Sequence, residues 1–177
     1  MLRRLLDTLY LLSGIAGAIA LVVIGGLILV QVVLRQVGGL LPGGDDLTAF
    51  AMAACAMLPL AYAFRHGAHI RVDLLIGRLG GRARTATEGV ALGAAALMSL
   101  LFAWASVDLV SDSLAFEEVA QGMLAVPMWI PQSFMAAGAV VFAVALLDDL
   151  AVLLAGGVPS YRRGGGESAL EKAAEEL

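Results

Sequence analysis

The chain has 177 residues, 60% of them hydrophobic, a mean hydropathy of +0.91 and a formal charge of −4. Soluble domains are roughly 45–50% apolar, so this composition excludes an ordinary globular fold, and four long apolar stretches leave no room for a separate soluble domain. Those stretches cover residues 9–34, 47–64, 86–107 and 128–155, each about 18–28 residues and able to cross a ~30 Å hydrocarbon core.

Span one follows a short basic segment, Met1–Asp7, that carries Arg3 and Arg4. Its apolar run exceeds the roughly 7–15-residue core of a secretory signal, which predicts a retained span. Gly14, Gly17, Gly25 and Gly26 are interleaved along it. They either allow close helix–helix approach or reflect the general frequency of Gly in membrane helices. The span closes near Arg35, and Gly38, Gly39, Pro42, Gly43 and Gly44 mark a turn.

Asp45 and Asp46 precede span two. One of them can cap its first turn, and both complement the positive end of the helix dipole. Span two is rich in Ala, with Ala49 and Ala53 forming a small-xxx-small pair suited to burial among helices. Pro59 predicts a kink. Cys55, the single cysteine, lies within the apolar run and reads as a small buried residue. Beyond span two, Ile70, Leu74, Leu75, Ile76 and Leu79 recur near helical spacing among several Arg residues. This pattern predicts a short amphipathic helix at the membrane surface or against a partner protein.

Span three starts after Arg82 and Arg84, with Glu88 near its beginning, and closes near Asp108. The stretch from Asp108 to Met128 is acidic and mildly amphipathic, with Asp112, Glu117 and Glu118. Pro127, Trp129 and Pro131 mark the start of span four, where Trp129 suits an interfacial anchor. The span passes Gly138 and reaches Asp148 and Asp149. The expected organisation is a four-span domain over residues 1–157 and a mobile cytoplasmic tail over 158–177.

The loops decide the orientation. Assigning alternate segments to one side collects ten of the eleven Lys and Arg residues there, leaving Arg35 alone opposite. The positive-inside rule then puts both termini and the middle loop in the cytoplasm. The fold class expected is an all-α membrane protein with four transmembrane helices and an interfacial amphipathic helix.

The chemistry that is missing narrows the function. The spans are nearly free of mid-membrane charge, whereas transporter cores bind substrate and ions at polar, broken helices near the midplane. There is no phosphate loop, Cys/His ligand cluster or nucleophile elbow. His66 and His69 fall short of the four ligands a closed metal site wants and read as interfacial polar residues. No enzyme activity, cofactor or metal is expected, and membrane lipid rather than nucleic acid is the expected surrounding. The pattern suits an accessory subunit. A four-helix redox subunit would need paired intramembrane His ligands, and a self-contained small homo-oligomeric channel would need a polar pore face. A scaffold subunit of another membrane complex fits the residue pattern equally well.

A resemblance separates these readings. Arg35 closes span one; Pro42, Asp45, Asp46 and Leu47 open span two; and Arg65, Gly67, His69, Ile70, Val72 and Asp73 follow it. In order and spacing this resembles the small membrane subunit of tripartite ATP-independent periplasmic (TRAP) transporters, as do Met128-Trp129-Ile130-Pro131 and Gly138. Two departures stand out: the Trp usual before the acidic pair is Gly43 here, and a basic or polar residue after the pair is replaced by the Thr48-Ala49 region. The resemblance implies a non-catalytic subunit in the bacterial inner membrane. It would pack against a large multi-span permease subunit and enlarge its fixed scaffold, for sodium-coupled symport of an organic acid delivered by a periplasmic binding protein. Within that picture, Arg35 with Asp45 or Asp46 is expected to organise the periplasmic turn, and His69, Arg71 and Asp73 to position the cytoplasmic interfacial segment.

Overall fold

The structure, a computed structural model, describes residues 2–66, 81–157 and 159–160. The amphipathic helix expected around Ile70–Leu79 and the tail from Tyr161 onward lie outside the described residues. The described residues form five helices: α1 (Leu2–Gln36), α2 (Gly44–Met57), α3 (Leu60–Arg65), α4 (Gly81–Ala115) and α5 (Trp129–Leu154). They supply four stretches long and apolar enough to cross a membrane: Leu5–Gln36, Gly44–Arg65, Thr85–Ala115 and Trp129–Leu154. The protein is an all-α integral membrane protein. The second stretch is α2 and α3 in series.

The helices form a row. α1 packs on α2 and α3, these pack on α5, and α5 packs on α4, with a minor contact between α1 and α5. Each outer helix contributes one narrow stripe. Tyr10, Ser13, Gly17 and Ala20 are the buried positions of α1. Glu88, Leu92, Ala96, Ser99, Ala103, Ser106 and Ser113 are those of α4. Both stripes repeat every three or four residues, as one face of a helix must. The remaining faces expose large apolar side chains, among them Val22, Leu29, Met98 and Trp104, which suits contact with lipid or with another membrane chain.

Pro59 does more than bend span two. Helix α2 ends at Met57 and α3 starts at Leu60, because a proline has no N–H for the ladder and its ring crowds the preceding turn. Two glycines bracket this break. A Cβ on Gly17 of α1 would lie 2.6 Å from Pro59 Cδ, and one on Gly138 of α5 would lie 2.6 Å from the Met57 carbonyl carbon. The Ser13 hydroxyl donates to the Leu58 carbonyl at the same level. Gly14 likewise packs against Tyr62. Gly14 and Gly17 are therefore contact positions, while nothing lies near Gly25 or Gly26.

Three expectations need correction. Span three continues past Asp108 to Ala115, because Ser106, Val110 and Ser113 prolong the buried or half-buried stripe and no Gly or Pro interrupts it. At ~1.5 Å rise per residue its end projects beyond the hydrocarbon, so Asp108 and Asp112 remain exposed. Residues 116–128 then form a small turn-back held by Ala120 N–H to Val126 O (2.9 Å) and Met128 N–H to Glu118 O (2.9 Å). Neither Asp45 nor Asp46 caps α2. The N-cap is Gly43, at φ 73°, with no side-chain cap, and this left-handed glycine starts the helix before the acids are reached. Both still stand in its first turn, where the dipole favours them. Finally, Ala49 is exposed and Ala53 half-buried; Ala54 and Ala61 are the buried alanines of span two.

Candidate functional site

Polar side chains gather at the two ends of the row. In the described spans every Asp, Glu and Arg falls within about two turns of a span end, as the cost of charge at membrane depth requires.

At the end where α1 begins, Arg65 is the centre. It closes α3, and its two terminal nitrogens diverge: Nη2 meets Asp7 of α1 at 2.5 Å and Nη1 donates to Asp148 of α5 at 2.9 Å. The guanidinium carbon lies 5.1 Å from the centroid of the Tyr10 ring, within range of a cation–π contact. One planar fork thus ties three elements, a geometry an ammonium could not reproduce. Tyr10 is fully buried among Ala61, Phe64, Leu92 and Leu146, and among the described residues its hydroxyl has no hydrogen-bond partner. Asp149, also fully buried, accepts from the Ser160 amide at 3.0 Å and from its hydroxyl at 2.6 Å. These bonds fasten the chain leaving α5 back onto the helix.

At the opposite end, Asp46 reaches across from α2 and accepts the Leu124 N–H at 3.1 Å. Glycine makes the approach possible: a Cβ on Gly122 would overlap the Asp46 carboxylate, and one on Gly43 would overlap Leu124. Leu124 therefore occupies the space beside Gly43, the position where the TRAP pattern carries Trp. Asp45 is exposed and accepts from Gln31 Nε2 of α1 at 3.3 Å.

The predicted residues divide accordingly. Arg35 is exposed at the end of α1, where a cation favours the helix dipole. Among the described residues no carboxylate pairs with it, so the structure does not join Arg35 to Asp45 or Asp46. Arg65 is engaged as described. Trp129 is the first residue of α5 and is 38% exposed. His69, Arg71 and Asp73 lie outside the described residues. Sequence reasoning missed Asp7, Tyr10 and Asp148 as partners of Arg65. The signal was available: alternation of the spans puts the start of span one and the ends of spans two and four on one side, each with its own charge. Among the described residues no group of three or more His, Cys, Asp or Glu side chains could hold a metal.

A family model described as "Tripartite ATP-independent periplasmic transporters, DctQ component" matches residues 24–156. The chain belongs to the DctQ family. It is thus a small TRAP transporter component, and a membrane protein of transport. The match takes in Arg65, Asp148 and Asp46 and stops short of Asp7 and Tyr10. No individual curated protein matches the chain.

Proposed function

We propose that this DctQ-family chain is the small, non-catalytic membrane subunit of a TRAP-type secondary transporter, packing against a large permease subunit and enlarging the fixed scaffold against which the mobile part moves. The assembled system takes up an organic acid with sodium, the acid being delivered by a periplasmic binding protein. The chain resides in the inner membrane with both termini cytoplasmic, on the strength of its cation distribution. Trp129 anchors span four at the periplasmic boundary, and Arg35, Asp45 and Asp46 dress the periplasmic surface.

The observation that carries this reading is the open row of helices with charge confined to its ends. A row offers broad uncovered faces to another membrane chain, whereas a self-sufficient carrier needs polar or broken backbone around a midplane site. The break at Pro59 is filled by Gly17, Gly138 and Ser13 and leaves no such site. Affinity purification of the full chain from its native membrane in mild detergent tests the reading. Recovery of a large multi-span permease at near-equal stoichiometry is expected; recovery of the chain alone as a stable homo-oligomer would overturn it. Sodium dependence and the acid taken up are read by uptake into proteoliposomes that carry both subunits and the binding protein.

A further inference from the structure

A cavity of about 270 Å³ lies beside the Arg65 centre, lined by Asp7, Tyr10, Leu11, Tyr62, Arg65 and His66. Its polar atoms can be counted. Asp7 uses one carboxylate oxygen on Arg65, and its side chain is 53% exposed. Nothing among the described residues donates to its other oxygen. His66 places Nδ1 2.9 Å from the Tyr62 carbonyl. A carbonyl only accepts, so Nδ1 is a protonated nitrogen, and in the Nδ1–H tautomer Nε2 is an acceptor. The His66 ring is held in this setting by its tilted contact with the Tyr62 ring, with centroids 4.1 Å apart. Arg65 already faces two carboxylates, so its charge is more than balanced, yet only two of its five N–H groups are used.

The cavity therefore offers two acceptors with surplus negative charge, and beside them spare guanidinium donors. That arrangement complements a primary ammonium followed closely by a phosphate. The apolar wall is Leu11, one turn further into span one, and exposed Leu12 and Ile15 continue below it. The site thus stands where the hydrocarbon of the bilayer meets its headgroups. We propose that this cavity binds the ethanolamine headgroup of a membrane phospholipid, with the ammonium on Asp7 and His66 Nε2 and the phosphate on the free N–H groups of Arg65. An anionic glycerol headgroup offers the two acceptors only neutral hydroxyls and adds a net negative charge. A choline headgroup keeps the charge but has no N–H to donate.

Native mass spectrometry of the full chain, released from mild detergent with equimolar dioleoyl phosphatidylethanolamine, phosphatidylcholine and phosphatidylglycerol, tests this. Retention of the ethanolamine lipid is expected to exceed that of the choline lipid roughly tenfold, the scale of one charge-assisted hydrogen bond. Asp7→Asn and His66→Phe are each expected to bring it down to the choline level. His66→Phe keeps a ring on Tyr62 and leaves the Asp7–Arg65 pair alone, so it stays readable where Asp7→Asn weakens the fold. Equal retention of the two lipids by the unmodified chain would overturn the proposal, as would an ethanolamine preference that survives both substitutions. Displacement of the lipid by millimolar free phosphoethanolamine or spermidine would reassign the site to a soluble amine. Crosslinking of Asp7 to a lysine of a co-purifying protein would reassign it to that partner.

Discussion

Gly138→Ala is the sharpest test of the packing described above. The added Cβ would stand 2.6 Å from the Met57 carbonyl carbon, 2.7 Å from its oxygen and 2.8 Å from the Leu58 nitrogen. Carbon atoms rest comfortably at about 3.5–4.0 Å, so α5 and the α2–α3 break must part by roughly 1 Å. The obstruction is backbone, with no side-chain rotamer to swing aside, and overpacking of this kind costs about 1–3 kcal/mol. Alanine regains about 0.5–1 kcal/mol of helix preference over glycine, so the expected net loss is about 0–2.5 kcal/mol. The same substitution at Gly25 or Gly93 meets nothing within 4 Å and keeps only the helix gain. Reversible unfolding of the three variants in mixed micelles, followed by circular dichroism, measures the difference. A Gly138→Ala variant as stable as Gly25→Ala and Gly93→Ala would refute the close approach at the break.

Gly17→Ala, which brings a Cβ 2.6 Å from the rigid Pro59 ring, should destabilise by an amount comparable to Gly138→Ala in the same assay. Ser13→Ala removes the donor to the Leu58 carbonyl and should cost about 1 kcal/mol; a neutral result would show that the carbonyl does not depend on it. Asp46→Ala should speed hydrogen exchange at the Leu124 amide and open the 119–127 turn to protease, while Asp46→Asn, which keeps an acceptor oxygen, should leave both closer to the parent. In a double-mutant cycle, Arg65→Gln should couple to Asp148→Asn more strongly than to Asp7→Asn, because Asp148 is 22% exposed and Asp7 53%. The Asp7 coupling should also be the one that fades with added salt.

Much of this architecture was legible in the residues, for physical reasons that differ by element. The spans declared themselves because a bilayer imposes a minimum apolar length, and Pro59 declared the break because a missing N–H acts locally. The end of α4 is not legible from charge, because an acidic residue does not by itself end a helix. Asp108 and Asp112 are compatible with helix once the helix has left the hydrocarbon, and the buried register of Ser106, Val110 and Ser113 runs on past them. The acidic pair was read as a cap because capping is its commonest local use; the left-handed Gly43 that displaces it is a backbone property the residue type only permits. The glycines of span one looked equivalent, yet Gly14 and Gly17 meet Tyr62 and Pro59 while Gly25 and Gly26 meet nothing. That distinction depends on which face turns toward span two. Partners of Arg65 were missed for a similar reason: Asp7 and Asp148 lie 58 and 83 residues away in the chain, and only the side of the membrane relates them.

What fixes the order of the row cannot be apolar burial in the usual sense, since lipid tails are as apolar as the side chains they would replace. Close backbone approach and polar ties at the ends remain, and both concentrate on the second span. Gly17 presses on it from α1 and Gly138 from α5. Arg65 fastens one end to α1 and α5, and Asp46 fastens the other to the turn between α4 and α5. Helix α4 lies at the edge of the row. It packs chiefly on α5 through Leu92, Ala96, Ala103 and small hydroxyl residues, and the Ser106 hydroxyl returns to its own helix at Phe102 O, 2.8 Å away. The second span is therefore the keystone of the subunit: close approach and polar ties from both neighbours meet on it, while α4 joins the row through α5.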